Sequence, residues 1–190
     1  MLSFGCLFFT VLSPNGLYLS WLSSTGVATG RISLFASAGQ ACGFVGTLLA
    51  PTLIKANGPL AGARVAQVMQ ALPLLILAAI TCLPLGVLWP PLEQIRLYET
   101  SHGTLSLLAL PLSRVGLWAF DLAERQVVQQ ASASATDRLL VFAVEQGLTQ
   151  VASLGMLVCS LCFPEVNDFP KLIGLSACGL VLAMVILQLR

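Results

Sequence analysis

The run from Arg114 to Gln130, RVGLWAFDLAERQVVQQ, places charged side chains inside an otherwise apolar stretch. On a helix Arg114, Trp118, Asp121 and Arg125 follow one another at spacings of four, three and four and so share one face, with Val115, Leu117, Leu122 and Val128 expected opposite. A charge at mid-bilayer costs about 2.5 to 3.5 kcal/mol on insertion scales, so these residues belong against protein or water, each with a partner. Arg114 and Asp121, two turns apart, are the expected pair. The chemistry open to such a face is that of an ion passage or its gate. Anchoring of the helix at a membrane surface is the plainer alternative.

A second polar stripe lies downstream. Glu145, Gln146, Thr149, Gln150 and Ser153 recur every three to four residues, a pattern that a lipid-facing helix does not keep and that fits the wall of a water-filled cavity. Glu145 is its one ionisable member. Met156, Cys159 and Cys162 continue at intervals of three, types suited to a soft metal but equally to an apolar core. The one histidine, His102, falls in a loop with Glu93, Arg96 and Glu99, where a solvated role is expected.

Composition dictates what must hold these stripes in place. The 190 residues are 57% hydrophobic and only 9% charged, too little polar surface for a water-facing globule. An all-α integral membrane protein is expected, because lipid leaves no partner for backbone groups outside helices or closed barrels, and no stretch alternates in the barrel manner. Six apolar stretches of about 20 residues are long enough to cross a bilayer. They run over 2–24, 32–54, 63–89, 104–130, 138–162 and 170–189, forming one unit over 1–190. No basic region or cleavage site precedes the first, so Met1 onward reads as a true span.

Lys55, Arg64, Arg125, Arg138 and Arg190 fall on one side of these spans against Arg31, Arg96 and Lys171 on the other, which favours cytoplasmic termini. A net charge of +1 with no basic cluster excludes a nucleic-acid surface. The six cysteines all lie in apolar stretches and form no disulfide framework. No His-Glu-x-x-His, Gly-x-Ser-x-Gly or phosphate-binding glycine loop occurs, which argues against an enzyme.

Local signals add detail. Ser13-Pro14-Asn15-Gly16 should break the first span, since proline removes a donor and glycine weakens a helix; transporters use such breaks as ion sites. Ala36, Ala38, Gly39, Gly43 and Gly46 give the second span a small-residue face for close helix packing. Arg64, Gln67 and Gln70 form a polar stripe expected at a cytoplasmic entrance, and Thr136 or Asp137 is the expected cap of the fifth span.

Three stretches carry a family resemblance. Arg114-Val115-Gly116-Leu117-Trp118-Ala119-Phe120-Asp121-Leu122, with Gln126 and Gln129, resembles the tenth membrane helix of ferroportins, iron exporters of the major facilitator type. Leu7 to Leu12, LFFTVL, resembles the entry to the discontinuous seventh helix, and Ala36-Ser37-Ala38 followed by Gly43-x-x-Gly46-Thr47 resembles the eighth. The resemblance covers nearly the whole chain but only the second half of a ferroportin.

It implies six transmembrane helices forming one lobe of the major facilitator fold, and a transported divalent metal ion, ferrous iron first, with no cofactor. Arg114, Trp118, Asp121, Glu145, Gln146 and Gln150 become cavity or gate residues. The metal positions of this lobe fall on Asn15, Gly16 and Met156; vertebrate members carry Asp and Cys at the first pair and His at the third. Since alternating access rocks two halves against each other, the partners expected beside the bilayer and the metal ion are a second six-helix half or another copy. The alternative is a non-transporting half-lobe that assembles with a full-length transporter and modulates it. The plasma membrane is the expected location, with vacuolar or plastid envelopes as the family's other homes.

Overall fold

A backbone N–H or C=O left unpaired in lipid costs several kcal/mol, so the apolar stretches fold as helices and the chain leaves helix only where another donor or acceptor takes over. The computed structural model describes residues 2–12, 16–82, 104–132, 134–163, 165 and 168–189. Among these residues there are seven helices: α1 Leu2–Phe8, α2 Gly16–Ser24, α3 Thr29–Asn57, α4 Pro59–Cys82, α5 Thr104–Ala131, α6 Ala135–Cys162 and α7 Phe169–Gln188.

Six spans were expected; four helices, α3, α4, α6 and α7, are long and apolar enough to cross a membrane on those grounds alone. The 28-residue α5 has the length but carries Arg114, Asp121, Glu124 and Arg125. The first expected span is two short helices. Helix α1 stops at Phe8, ahead of the proline and glycine that should break it. The cause lies in the amides that follow: Leu12 donates to Thr10 Oγ1 at 2.9 Å and Val11 to Ser176 Oγ on α7 at 2.9 Å, so neither is free to continue the helix. Ser176 in turn donates to its own Leu172 carbonyl at 2.8 Å, and both Val11 and Ser176 are fully buried. Replacing Ser176 by alanine strands the Val11 N–H, at about 1 to 3 kcal/mol. The expected result is a lower unfolding temperature in detergent with faster amide exchange confined to residues 9–12.

Two helix ends depart from expectation for local reasons. The joint expected over Lys55 to Gly62 shrinks to Gly58, whose φ of 80° only glycine adopts without strain, and Pro59 starts α4 directly. At α6 the cap is Ser134 rather than Thr136 or Asp137: its Oγ accepts from the Asp137 amide at 3.1 Å, a side-chain N-cap, and donates to Asp137 Oδ2 at 2.7 Å.

Helix α5 packs along both α3 and α4, α4 also meets α7, and α1 lies between α6 and α7. The core runs through these contacts, with Tyr18, Leu74, Leu77, Phe120, Met156, Ile173 and Leu180 at 2% exposure or less. Trp21 stacks on Phe169 at 4.7 Å between ring centroids and so ties α2 to the start of α7. Helix α6 is largely uncovered, presenting Leu139, Leu140, Val151, Leu154 and Leu161 outward.

Candidate functional site: a polar cleft between α5 and α6

The small-residue face of α3 seats α5. A Cβ on Gly46 would collide with the Val115 backbone, one on Gly43 would lie 2.7 Å from the Trp118 ring, and one on Gly39 would reach Arg114 Cγ at 4.0 Å. On its next face α5 has Gly116, against which the α4 backbone at Ala66 and Gln70 closes. With Val115 set on α3 and Gly116 on α4, the turn carrying Arg114, Trp118, Asp121 and Arg125 skirts α3 at Gly39 and Gly43 and reaches the side that faces α6.

It opens there on a cleft of about 400 Å³. Arg114, Trp118, Asp121 and Arg125 form one wall; Gln146, Thr149, Gln150 and Ser153 form the facing wall; Phe8 and Leu117 complete it. The two polar stripes thus face each other. Leu117, expected on the far side of α5, belongs to the cleft because it lies three residues from Arg114 and four from Asp121, on the same face.

The charges pair differently from the sequence expectation. Asp121 is held by Arg125, four residues on, with Nε at 3.0 Å from Oδ2 and 3.1 Å from Oδ1, while the Arg125 guanidinium stands 6.0 Å from the Phe142 ring centroid on α6. The i,i+4 spacing brings these side chains together on one turn, which the seven-residue separation of Arg114 and Asp121 does not. Glu145 does not line the cleft. It is 7% exposed, Thr149 Oγ1 donates to its carbonyl at 2.6 Å, and Glu124, itself 5% exposed, Asp121 and Arg125 are among the charges whose fields reach it.

Of the expected metal positions, Asn15 lies outside the described residues, Gly16 begins α2, and Met156 is 2% exposed in the core and lines no part of the cleft. His102, Glu93, Arg96 and Glu99 also lie outside the described residues. Gln67 and Gln70, expected at an aqueous entrance, are 1% and 4% exposed. Arg64 turns instead to the end of α7, its Nε donating to the Leu187 carbonyl at 3.4 Å. Among the described residues no three His, Cys, Asp or Glu side chains converge. Phe8 lies in the Leu7 to Leu12 stretch that carries the resemblance, which gives no sign of a cavity role; it enters the cleft because α1 packs on α6.

Comparison with known proteins bears on what such a cleft belongs to. The chain superposes over 98% of its length on a bacterial homologue of the iron transporter ferroportin in an outward-facing state, at a TM-score of 0.80 and 24% identity. A bacterial homologue of ferroportin in an inward-facing state gives 0.81 and 25%, and a bacterial metal transporter 0.80 and 26%. The chain spans less than half of those structures, 43% to 46% of their length. No curated protein matches it. The profile described as Ferroportin1 (FPN1) matches residues 1–180. Four apolar helices of spanning length make the chain an integral membrane protein, and the profile match over nearly its whole length shows that it belongs to the ferroportin family.

Proposed function

We propose that the chain is the cleft-bearing half of a divalent metal ion exporter, with ferrous iron as its first substrate. It acts as a transporter and catalyses no reaction. The observation that carries this reading is the cleft: two polar stripes on two helices face each other across about 400 Å³ in a chain with 9% charged residues. Asp121 supplies the negative charge on its wall and Gln146, Gln150 and Ser153 supply neutral oxygens, a hard donor set suited to a partly hydrated divalent ion. Trp118 and Arg125 stand at its margin as gate residues. The ion's remaining ligands come from a second six-helix half, another copy or a separate chain, set against the uncovered face of α6. The bacterial structures, which are more than twice as long, support this division.

The test is efflux of ferrous iron, cobalt or manganese from loaded vesicles holding the purified chain. Efflux that falls in Asp121→Asn supports the reading. No efflux from vesicles in which crosslinking shows assembled pairs overturns it. The lack of a convergent acidic, Cys or His triad among the described residues favours a second reading, a half-lobe that binds a full-length relative and alters its transport without carrying metal. Co-purification with changed partner transport distinguishes that case.

A further inference from the structure

The glycines along α5 and its neighbours differ in what a Cβ would strike. At Gly46 and Gly116 the obstacle is backbone, of Val115 on α5 and of Ala66 and Gln70 on α4, and at Gly39 the nearest atoms lie 4.0 Å away in ordinary contact. Gly43 differs. A Cβ there would stand 2.7 Å from both Cδ1 and Nε1 of Trp118, and the three nearest atoms all belong to that indole. Among the described glycines it is the one whose obstacle inside 3 Å is a side chain alone.

The indole therefore rests in a notch that exists because residue 43 carries no side chain. Ordinary carbon contact falls at about 3.5 to 4.0 Å, so a methyl at this position would sit about 1 Å too close and one of the two groups must give way. Moving α5 off α3 would break the close seat of Val115 on Gly46, whereas turning one ring about its own χ angles leaves that seat intact. Trp118 is 40% exposed and lines the cleft, so the space open to a displaced ring is the cleft itself.

We propose that Gly43 is a positioning residue for the cleft. The notch it leaves in α3 holds the Trp118 indole back, and a ring out of the notch narrows the space between Asp121 and the facing wall of α6. This deepens the gate role given to Trp118, and it rests on the cation reading of the cleft for its metal readout alone.

The test is aqueous access to the far wall. The thiol of Gln150→Cys, at an exposed position lining the cleft from α6, is labelled in detergent with a charged methanethiosulfonate and counted by mass as the label gained over the native cysteines. Gly43→Ala should slow that labelling at least about threefold, a size usual for two residues in contact. Gly30→Ala, whose Cβ meets nothing within 4 Å, should leave it unchanged. Trp118→Ala should speed labelling and cancel the effect of Gly43→Ala, which a general loosening of the α3–α5 seam would not do. Cobalt affinity by calorimetry should fall in Gly43→Ala and recover in the double variant. Unchanged labelling in folded Gly43→Ala overturns the proposal, and so does an equal slowing with Trp118→Ala present. If Gly43→Ala fails to fold, labelling no faster in Trp118→Ala overturns it. Labelling needs no metal, so a cleft that binds no cobalt defeats the metal reading and leaves this test standing.

Discussion

Gly116→Ala is expected to destabilise the protein more than any other single-methyl change on α5. The added Cβ would run into the Gln70 amide nitrogen, with the Ala66 carbonyl at 2.6 Å and Gln70 Cα at 2.7 Å. All three are backbone atoms of α4, so no side-chain rotation relieves the collision and the helices must separate. Overpacking of this kind costs about 1 to 3 kcal/mol, and the rigid obstacle places this case at the upper end. Thermal unfolding of the purified protein in detergent is the measurement. Gly147→Ala on α6 is the control, because a Cβ there meets nothing within 4 Å and the helix gains about 0.5 to 1 kcal/mol of backbone preference. Equal unfolding temperatures for the two variants would contradict the close α4–α5 approach.

Opposite shifts in metal affinity are expected from the two ends of the cleft's ion pair. Asp121 is the one carboxylate among the described walls of the cleft, and Arg125 holds both its oxygens at 3.0 to 3.1 Å. A divalent cation entering the cleft must compete with that guanidinium. Asp121→Asn removes the charged ligand and leaves the cation facing Arg114 and Arg125, so cobalt or manganese binding should fall about tenfold or more. Arg125→Gln removes the competitor and one positive charge, so binding should tighten about threefold or more, reduced at high salt because Arg125 is more than half exposed. Calorimetry on both variants checks the pair. Shifts in the same direction, or none in Asp121→Asn, would rule out Asp121 as a ligand and leave the cleft a structural feature.

The two polar walls of the cleft are legible in the sequence. Arg114, Trp118, Asp121 and Arg125 declare a common face through spacing alone, and Gln146, Thr149, Gln150 and Ser153 declare another. Gly39, Gly43 and Gly46 announce close packing but not their partner, which is α5. Spacing is ambiguous for a residue at the boundary of a face. Leu117 reads as far-side beside Val115 and Leu122, yet its spacing from Arg114 and Asp121 sets it in the cleft. Glu145 reads with Gln146, yet consecutive residues point about 100° apart on a helix, and here that angle separates the buried side from the cleft.

Periodicity and composition were enough to establish a helical membrane protein, two polar stripes within it and a weak point in the first span, because these follow from bilayer thickness, backbone satisfaction and the helical repeat. None of those quantities carries information on which helix lies beside which. That Gln70 is buried against a cavity rather than set at an entrance, and that α1 ends early to give Val11 to Ser176, are outcomes of packing between segments up to 165 residues apart. Contacts at that range depend on the shapes and hydrogen-bonding needs of both partners at once, which no local window contains.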